Sequence, residues 1–450
     1  MRKGLSRRTF LGGSALAGAG LLLAACGQAQ MAEEAPAKEE MKEEPKEAAK
    51  EAEVMEAKVV NYLHVDLAQN EIWQNSWGDM FATFKDKHPD LELTVTGTSF
   101  GELPAKAGAA QAGGIAFDAI YGYFAWLGGF IDSEIITNID PFLAADADVA
   151  PDDFYDATKE RYQGQTYGLA WFSNGKEIWF NKNLFTEAGL QNPEELEAAG
   201  EWTYEALLEA AKLLTKMEGD EIVQGGAQLY ASFTSYLCMY AWAYGADFWD
   251  EGCTMPTFTS DAFREAVQFH VDVHSKHKVV GGSYIEGTQA MFNTGSFNVR
   301  TFEANITPNN LFEIGMAPMP KGPAGRVIAL ANNAMYLGGS GVNPDGGWNF
   351  LKHTVSADVV DQVAALGGGR YVANKSVTPA TTTDYENIDV YLMQAANSRV
   401  TPTIFKQSDF NAAWTETWNE MVEGSLTVPE GLDRTQGQLE NWLAEGGCIQ

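Results

Sequence analysis

Val59-Val60-Asn61-Tyr62-Leu63 opens a stretch that closes with Phe117-Asp118-Ala119-Ile120-Tyr121, and strand and helix patterns alternate all along it. The first five residues form a short apolar strand. Trp73, Trp77, Met80, Phe81 and Phe84 then recur at helical spacing and stop before Pro89, which cannot continue a helix. Leu91, Leu93 and Val95 alternate as a second strand, an alanine-rich segment follows, and Phe117 to Tyr121 makes a third. A β-α-β-α-β opening of this kind predicts a parallel, doubly wound sheet and an α/β fold.

A second alternating set begins near Tyr167. Asn174-Gly175 carries the sequence of a tight turn between two apolar segments. Thr203 is placed to cap a helix whose inner face is Leu207, Ala211 and Leu214. Phe312 to Met316 and Val327 to Leu330 read as later strands. Towards the end the pattern turns helical, with Phe410, Trp414, Thr417 and Met421 on one stripe, and Thr427 with Glu430 predicts a capping box for the last helix.

The region before Lys58 has another character. Ser6-Arg7-Arg8-Thr9-Phe10-Leu11 leads into a short apolar run and then Leu23-Ala24-Ala25-Cys26. Paired arginines before such a run predict a twin-arginine export signal. The stretch from Phe10 to Ala25 is too short and glycine-rich to span ~30 Å of hydrocarbon. Residues 27–57 are mostly Ala, Glu and Lys, with two prolines and no aromatic residue, a composition that reads as a spacer with almost nothing to bury.

Four basic residues lie in 1–26 and a net charge of −6 in 27–57, leaving −29 of the total −31 on residues 58–450. A surface so acidic repels phosphate backbones, which argues against nucleic acid as a partner. Beyond Cys26 there are three cysteines, Cys238, Cys253 and Cys448. An export compartment permits disulfides, three cysteines cannot all pair within one chain, and a Cys238–Cys253 bridge is one arrangement the spacing allows.

Several blocks together resemble the extracellular solute-binding proteins of ABC importers, family 1, the sugar-binding group that includes maltose-binding protein. They are Phe84-Lys85-Asp86-Lys87-His88-Pro89-Asp90-Leu91, Ala112-Gly113-Gly114-Ile115-Ala116-Phe117-Asp118, Tyr167-Gly168-Leu169-Ala170-Trp171, Ile178-Trp179-Phe180-Asn181-Lys182-Asn183-Leu184-Phe185, Glu201-Trp202-Thr203-Tyr204-Glu205, and Met316-Ala317-Pro318-Met319-Pro320. Their order and spacing carry the resemblance across nearly all of residues 58–450. Ala116, Ala170 and Phe297 depart from it, standing where the family commonly has two prolines and a tryptophan.

The resemblance implies a two-lobed periplasmic-binding-protein fold of type II, each lobe a doubly wound sheet, joined by a hinge that closes on a ligand. Residues 58–172 and 323–369 would form the first lobe, and 173–322 and 370–450 the second. Leu23-Ala24-Ala25-Cys26 resembles a lipobox, which implies cleavage and lipidation at Cys26 and a monomer tethered outside the cytoplasm by lipid alone. The implied partners are a small carbohydrate and the permease subunits of an ABC importer, with no cofactor.

A sugar presents one apolar face and a rim of hydroxyls, so flat aromatic rings and polar side chains at the carboxyl ends of strands are the residues to look for. His64 and Asp66 follow the first strand, Tyr123 and Trp126 the third, and Trp171 and Phe172 sit at the first inter-lobe crossing. Phe297 lies in a family-like loop, Trp242 precedes a glycine-bounded turn, and Arg370 follows Gly367-Gly368-Gly369. Asp118 is either a hydroxyl acceptor or a cap.

An aromatic side chain in an α/β protein is more often core than contact. Trp73, Trp77, Trp414 and Trp418 lie on helical stripes and are expected in the core, while Trp242 and Tyr244 are balanced between core and pocket. His270, His274 and His277 have a spacing that suits a metal, but they share a face with Phe263, Ala266 and Val267, and no carboxylate or cysteine completes a set, so a core edge is the expected role. No GxSxG, P-loop or HExxH pattern occurs: Gly338-Gly339-Ser340-Gly341-Val342 fails at its last place. A surface-anchored carbohydrate-active hydrolase and the binding component of a sensor remain the alternatives to an importer's receptor.

Overall fold

The computed structural model describes residues 58–65, 71–231, 234–295, 298–367, 371–377 and 398–449. Asp66, Phe297, Arg370 and Cys26, all named above, lie outside the described residues.

In chain order the first part runs β1 (Val59–Val65), α1 (Glu71–Lys87), β2 (Glu92–Thr98), α2 (Leu103–Ala112), β3 (Ala119–Tyr123), α3 (Leu127–Asp132), α4 (Asp140–Ala145), β4 (Lys159–Tyr162) and β5 (Gln165–Asn174). The alternation of the opening sequence is thus realised. Met80 and Phe84 of α1 are fully buried against the sheet, and Trp77 is 5% exposed. β2 is the outermost strand, and Val95 is exposed there.

The chain then crosses to a second sheet with β6 (Glu177–Asn181), α5 (Lys182–Ala188), α6 (Pro193–Ala199), α7 (Tyr204–Leu214), β7 (Lys216–Glu218), β8 (Glu221–Gln228), α8 (Thr234–Ala243), α9 (Asp261–Ser275), β9 (Gln289–Thr294), α10 (Val299–Ile306) and β10 (Ile314–Pro318). Local chemistry fixes these helices. Asn181 caps α5 by accepting from the Asn183 and Leu184 amides, and Asn192 and Glu195 form a capping box on α6. Thr203 caps α7 through the Ala206 amide at 3.2 Å, and Leu207, Ala211 and Leu214 are buried on one face, as expected.

The chain returns through β11 (Ile328–Leu337), α11 (Pro344–Thr354), α12 (Ala357–Gly367) and β12 (Tyr371–Val372), and ends with β13 (Ser398–Val400), β14 (Thr403–Ile404), α13 (Gln407–Glu423), α14 (Val428–Gly446) and β15 (Cys448–Ile449). Thr427 and Glu430 do form the capping box of α14.

The larger sheet has the order β12-β5-β11-β3-β1-β2, with β4 and β13 on its flanks, and the smaller has the order β10-β6-β9-β8-β7. Both are mixed rather than parallel. β1, β2 and β3 run parallel, but β11 is antiparallel to both β3 and β5, and β6 is antiparallel to β9 and β10. In the larger sheet the return strand β11 is the reason: it re-enters from the second lobe and so arrives in the opposite sense. Tyr336 on β11 lies between Gly122 and Gly168, where an added Cβ would come within 2.1 and 2.3 Å of the ring. Glycine is required at both places for the sheet to close over that tyrosine.

Three further readings are corrected. Asn174-Gly175 makes no hairpin: β5 and β6 belong to different sheets, and residues 175–176 are the link between the lobes. Residues 371–377 belong with the first lobe, because Tyr371 and Val372 pair with Ser173 and Phe172, and Val377 joins that lobe's core. The disulfide joins Cys253 to Cys448, while Cys238 is a free thiol buried in α8. Spacing along the chain allowed a Cys238–Cys253 bridge, but Cys238 is buried in the core on α8 and the last strand brings Cys448 to Cys253.

Candidate site between the two sheets

Register decides where the strands end. Because β1, β2 and β3 are parallel, their carboxyl ends share one edge. β11 pairs Asn333 with Tyr123 and with Phe172, and Ala331 with Asn174, so the start of β11 and the end of β5 lie on that same edge. In the second sheet Glu177 at the start of β6 pairs with Thr294 at the end of β9 and Pro318 at the end of β10. Both sheets therefore direct their carboxyl-end edges at the crossing, the place where open α/β sheets bind ligands.

On the first lobe this edge carries a basket of rings. Phe100, in the turn after β2, is 4.7 Å from Trp126 and 5.1 Å from Tyr123, centroid to centroid, and Tyr123 is 5.6 Å from Trp126. Phe100 is 40% exposed and the other two are half-buried. The Ser99 hydroxyl donates to Glu102 at 2.8 Å and braces the turn. On the second lobe Tyr230 lies 5.7 Å from Tyr236 and 5.6 Å from Phe292. Burial pushes the phenols of Tyr123 and Tyr236 above the ordinary range, and in Tyr236 the nearby Tyr123 adds to the effect.

The other candidates divide. Trp171 is 1% exposed, packed by Trp77 at 4.6 Å and Phe172 at 4.8 Å, so its ring belongs to the first lobe's core rather than to an open platform. Only its indole N–H is left without a partner among the described residues. Phe172 is 4% exposed in the same cluster. His64 is buried edge-on to Trp77 at 4.4 Å, its Nδ1 2.7 Å from the Tyr62 hydroxyl. Burial alone holds its imidazole at about 3, so the ring is neutral.

Asp118 is not at the edge. It sits at the opposite end of β3, fully buried, accepting from the Asn61 and Asn343 amides at 2.7 Å each. It therefore holds β1 to the loop before α11 and is not itself a helix cap, since Asn343 caps α11 by accepting from the Gly346 amide. Trp242 is 4% exposed and covered: its N–H donates to Asp247 at 2.9 Å, and the Arg399 guanidinium lies 4.2 Å from the ring centroid while donating to the same carboxylate at 2.6 Å. His270 lies inside the core rather than at its edge, 1% exposed, while His274 is half-buried at that edge and His277 falls beyond the helix end. Among the described residues no group of three or more His, Cys, Asp or Glu side chains is placed to hold a metal.

Sequence reasoning missed Phe100, Tyr230, Tyr236 and Phe292, and with them Asn174 and Lys176 at the crossing. Phe100 follows a strand and was open to the rule that found Tyr123. Tyr230 and Phe292 lie on or beside β8 and β9, strands that carry no clear apolar alternation. A cavity of about 850 Å³ lies at the far end of β5, lined among others by Asp140, Asp156, Lys159 and Arg161. Lys159 pairs there with Asp156 at 2.8 Å.

Residues 69–361 match the family described as bacterial extracellular solute-binding protein. The chain belongs to that family, whose members are binding receptors and not enzymes, which sets aside the hydrolase alternative. Solved structures agree on the fold. The GacH receptor of Streptomyces glaucescens GLA.O, solved unliganded and with acarbose, is similar with a TM-score of 0.73 at 20% identity, over 86% of this chain and 98% of that one. An ABC substrate-binding protein of Listeria monocytogenes, solved with cycloalternan, gives 0.75 at 17% identity over 86% and 99%. The maltose/maltodextrin-binding domain MalE of Bdellovibrio bacteriovorus, bound to maltotriose, gives 0.69 at 14% over 86% and 100%. No curated protein matches by sequence.

Proposed function

We propose that this protein captures a neutral carbohydrate between its two lobes and delivers it to an ABC importer. The observation that carries the reading is the pair of ring clusters, Phe100, Tyr123 and Trp126 on one sheet edge and Tyr230, Tyr236 and Phe292 on the other, set about the crossing. Aromatic faces suit the apolar side of a sugar ring, and half-buried rings are available to it. The solved neighbours named above hold acarbose, cycloalternan and maltotriose, which supports the same class of ligand here.

The same proposal places residues 1–26 as an export signal, 27–57 as a spacer, and Cys26 as the lipid-bearing residue that tethers the receptor outside the cytoplasm. Residues 58–174, 323–377 and the companion strand β13 make the first lobe in this reading, and most of the remainder makes the second. Among the described residues no helix is long and apolar enough to cross a membrane, consistent with a lipid tether.

A thermal-shift screen of mono- and oligosaccharides, with polyols and amino acids as controls, tests the ligand class, since a ligand that binds only the folded state raises the melting temperature. A carbohydrate should give the largest shift. A shift from amino acids alone, with none from any sugar, overturns the reading.

A further inference from the structure

The link between the sheets is polar in a place where polarity is costly. Lys176 is 3% exposed and Glu177 fully buried, at the point where β5 hands over to β6. The Lys176 ammonium lies 5.2 Å from the centroid of the Tyr236 ring, and among the described residues no carboxylate or carbonyl accepts a hydrogen bond from it. Two residues before it the Asn174 side-chain oxygen is also buried without a partner among the described residues.

An ammonium held mostly out of water, with no acceptor supplied by the protein, is poorly solvated. A protein retains such a group at a ligand edge when the ligand supplies the acceptors.

The geometry points to Lys176, supported by Asn174, as the polar floor of the ligand site, where its three N–H donors take the hydroxyl or ring oxygens of a neutral sugar. This rests on the reading of the site as a carbohydrate cleft. Neutrality follows from Glu177: its buried carboxylate balances the ammonium, so the floor carries donors without net charge, and a sugar acid or sugar phosphate would bring an uncompensated anion beside Glu177. Burial lowers the ammonium to about 8 and Glu177 opposes that shift, which keeps it charged at neutral pH. Tyr236 fixes its position as a cation–π platform.

The test uses calorimetry of the wild type with maltotriose, mannotriose and tagatose, then with the tightest of these on a variant. Lys176→Met/Glu177→Gln removes both charges and leaves no lone buried ion. Its affinity should fall tenfold or more, while its unliganded melting temperature stays within a few degrees of wild type or rises. Affinity within twofold of wild type makes Lys176 a hinge residue and overturns the proposal, while leaving carbohydrate binding intact. Should that variant not fold, the wild type labelled with 15N at lysine side chains decides: the Lys176 signal should move when the sugar is added, and an unmoved signal overturns the proposal. Galacturonate or glucose 6-phosphate binding more tightly than every neutral sugar overturns the neutral-ligand part. If none of the three neutral sugars binds, both this inference and the functional reading beneath it fail.

Discussion

Cys253 is bonded to Cys448, 195 residues further along the chain, and the residue after Cys448 packs on the opposite lobe. Cys448 lies against the second lobe's core and Ile449 against the first lobe's. The Tyr162 hydroxyl on β4 donates to the Gly446 carbonyl at 2.8 Å, and the Tyr162 ring stacks on Phe405 at 4.9 Å. β15 is thus a strap, covalently held to one lobe and packed on the other.

Breaking that bond should destabilise the folded part. Removing a native disulfide costs ~2–5 kcal/mol, so Cys448→Ser, or reduction of the wild type, should lower the melting temperature measured by calorimetry. Cys238 should stay unreactive throughout the native state, since burial pushes its thiol well above the ordinary range. Rapid alkylation of Cys238 in the folded protein, or a reduced form as stable as the oxidised one, would contradict this.

The exposed and the buried rings should answer differently to truncation. Phe100→Ala and Trp126→Ala should each cost on the order of 1–3 kcal/mol of binding and little stability, because solvent already reaches those rings. Trp171→Ala should do the reverse first. It removes a side chain 1% exposed, with a stability loss of about 3–5 kcal/mol. Calorimetric titration beside melting without ligand separates the two patterns.

How much of this was legible in the chain depended on what each residue answers to. Thr203, Thr427 and Glu430 announce helix starts because a cap is a contact between near neighbours. The stripe of Phe410, Trp414, Thr417 and Met421 was readable for the same local reason, and all four are buried. The antiparallel entry of β11 and the Cys253–Cys448 bond depend on segments far apart in sequence, and no periodicity encodes them. Trp171 shows the limit within the site: the rule about strand ends put it at the right edge, but only packing by Trp77 and Phe172 showed that its ring is spoken for.

Acid should loosen the second lobe through His270. The ring is 1% exposed and stacked on Tyr240 at 3.5 Å, with neither nitrogen partnered among the described residues. Burial holds its folded-state pKa well below the ordinary 6.5, with His274 adding to the effect. The stability due to the neutral form is therefore present above that ordinary value and is lost as pH falls below it, because the unfolded chain takes up the proton first. His270→Phe should flatten the fall of melting temperature between pH 7 and 5, whatever its absolute stability. An unchanged slope would place the acid sensitivity in other groups.

Tethering has an equally direct check. Cys26→Ser should move the exported protein from the membrane to the soluble fraction, since a lipid chain on that residue is the only anchor the account provides. A variant that still sediments with membranes would contradict it.

The central claim is capture of an intact carbohydrate at the crossing of the two sheets. Native mass spectrometry of the protein mixed with a library of neutral oligosaccharides tests it in one measurement. The account predicts a single added mass equal to an unaltered sugar, weakened in the Tyr123→Ala/Trp126→Ala protein. No sugar adduct from the library, an adduct of altered mass, or an adduct indifferent to those two substitutions would contradict it.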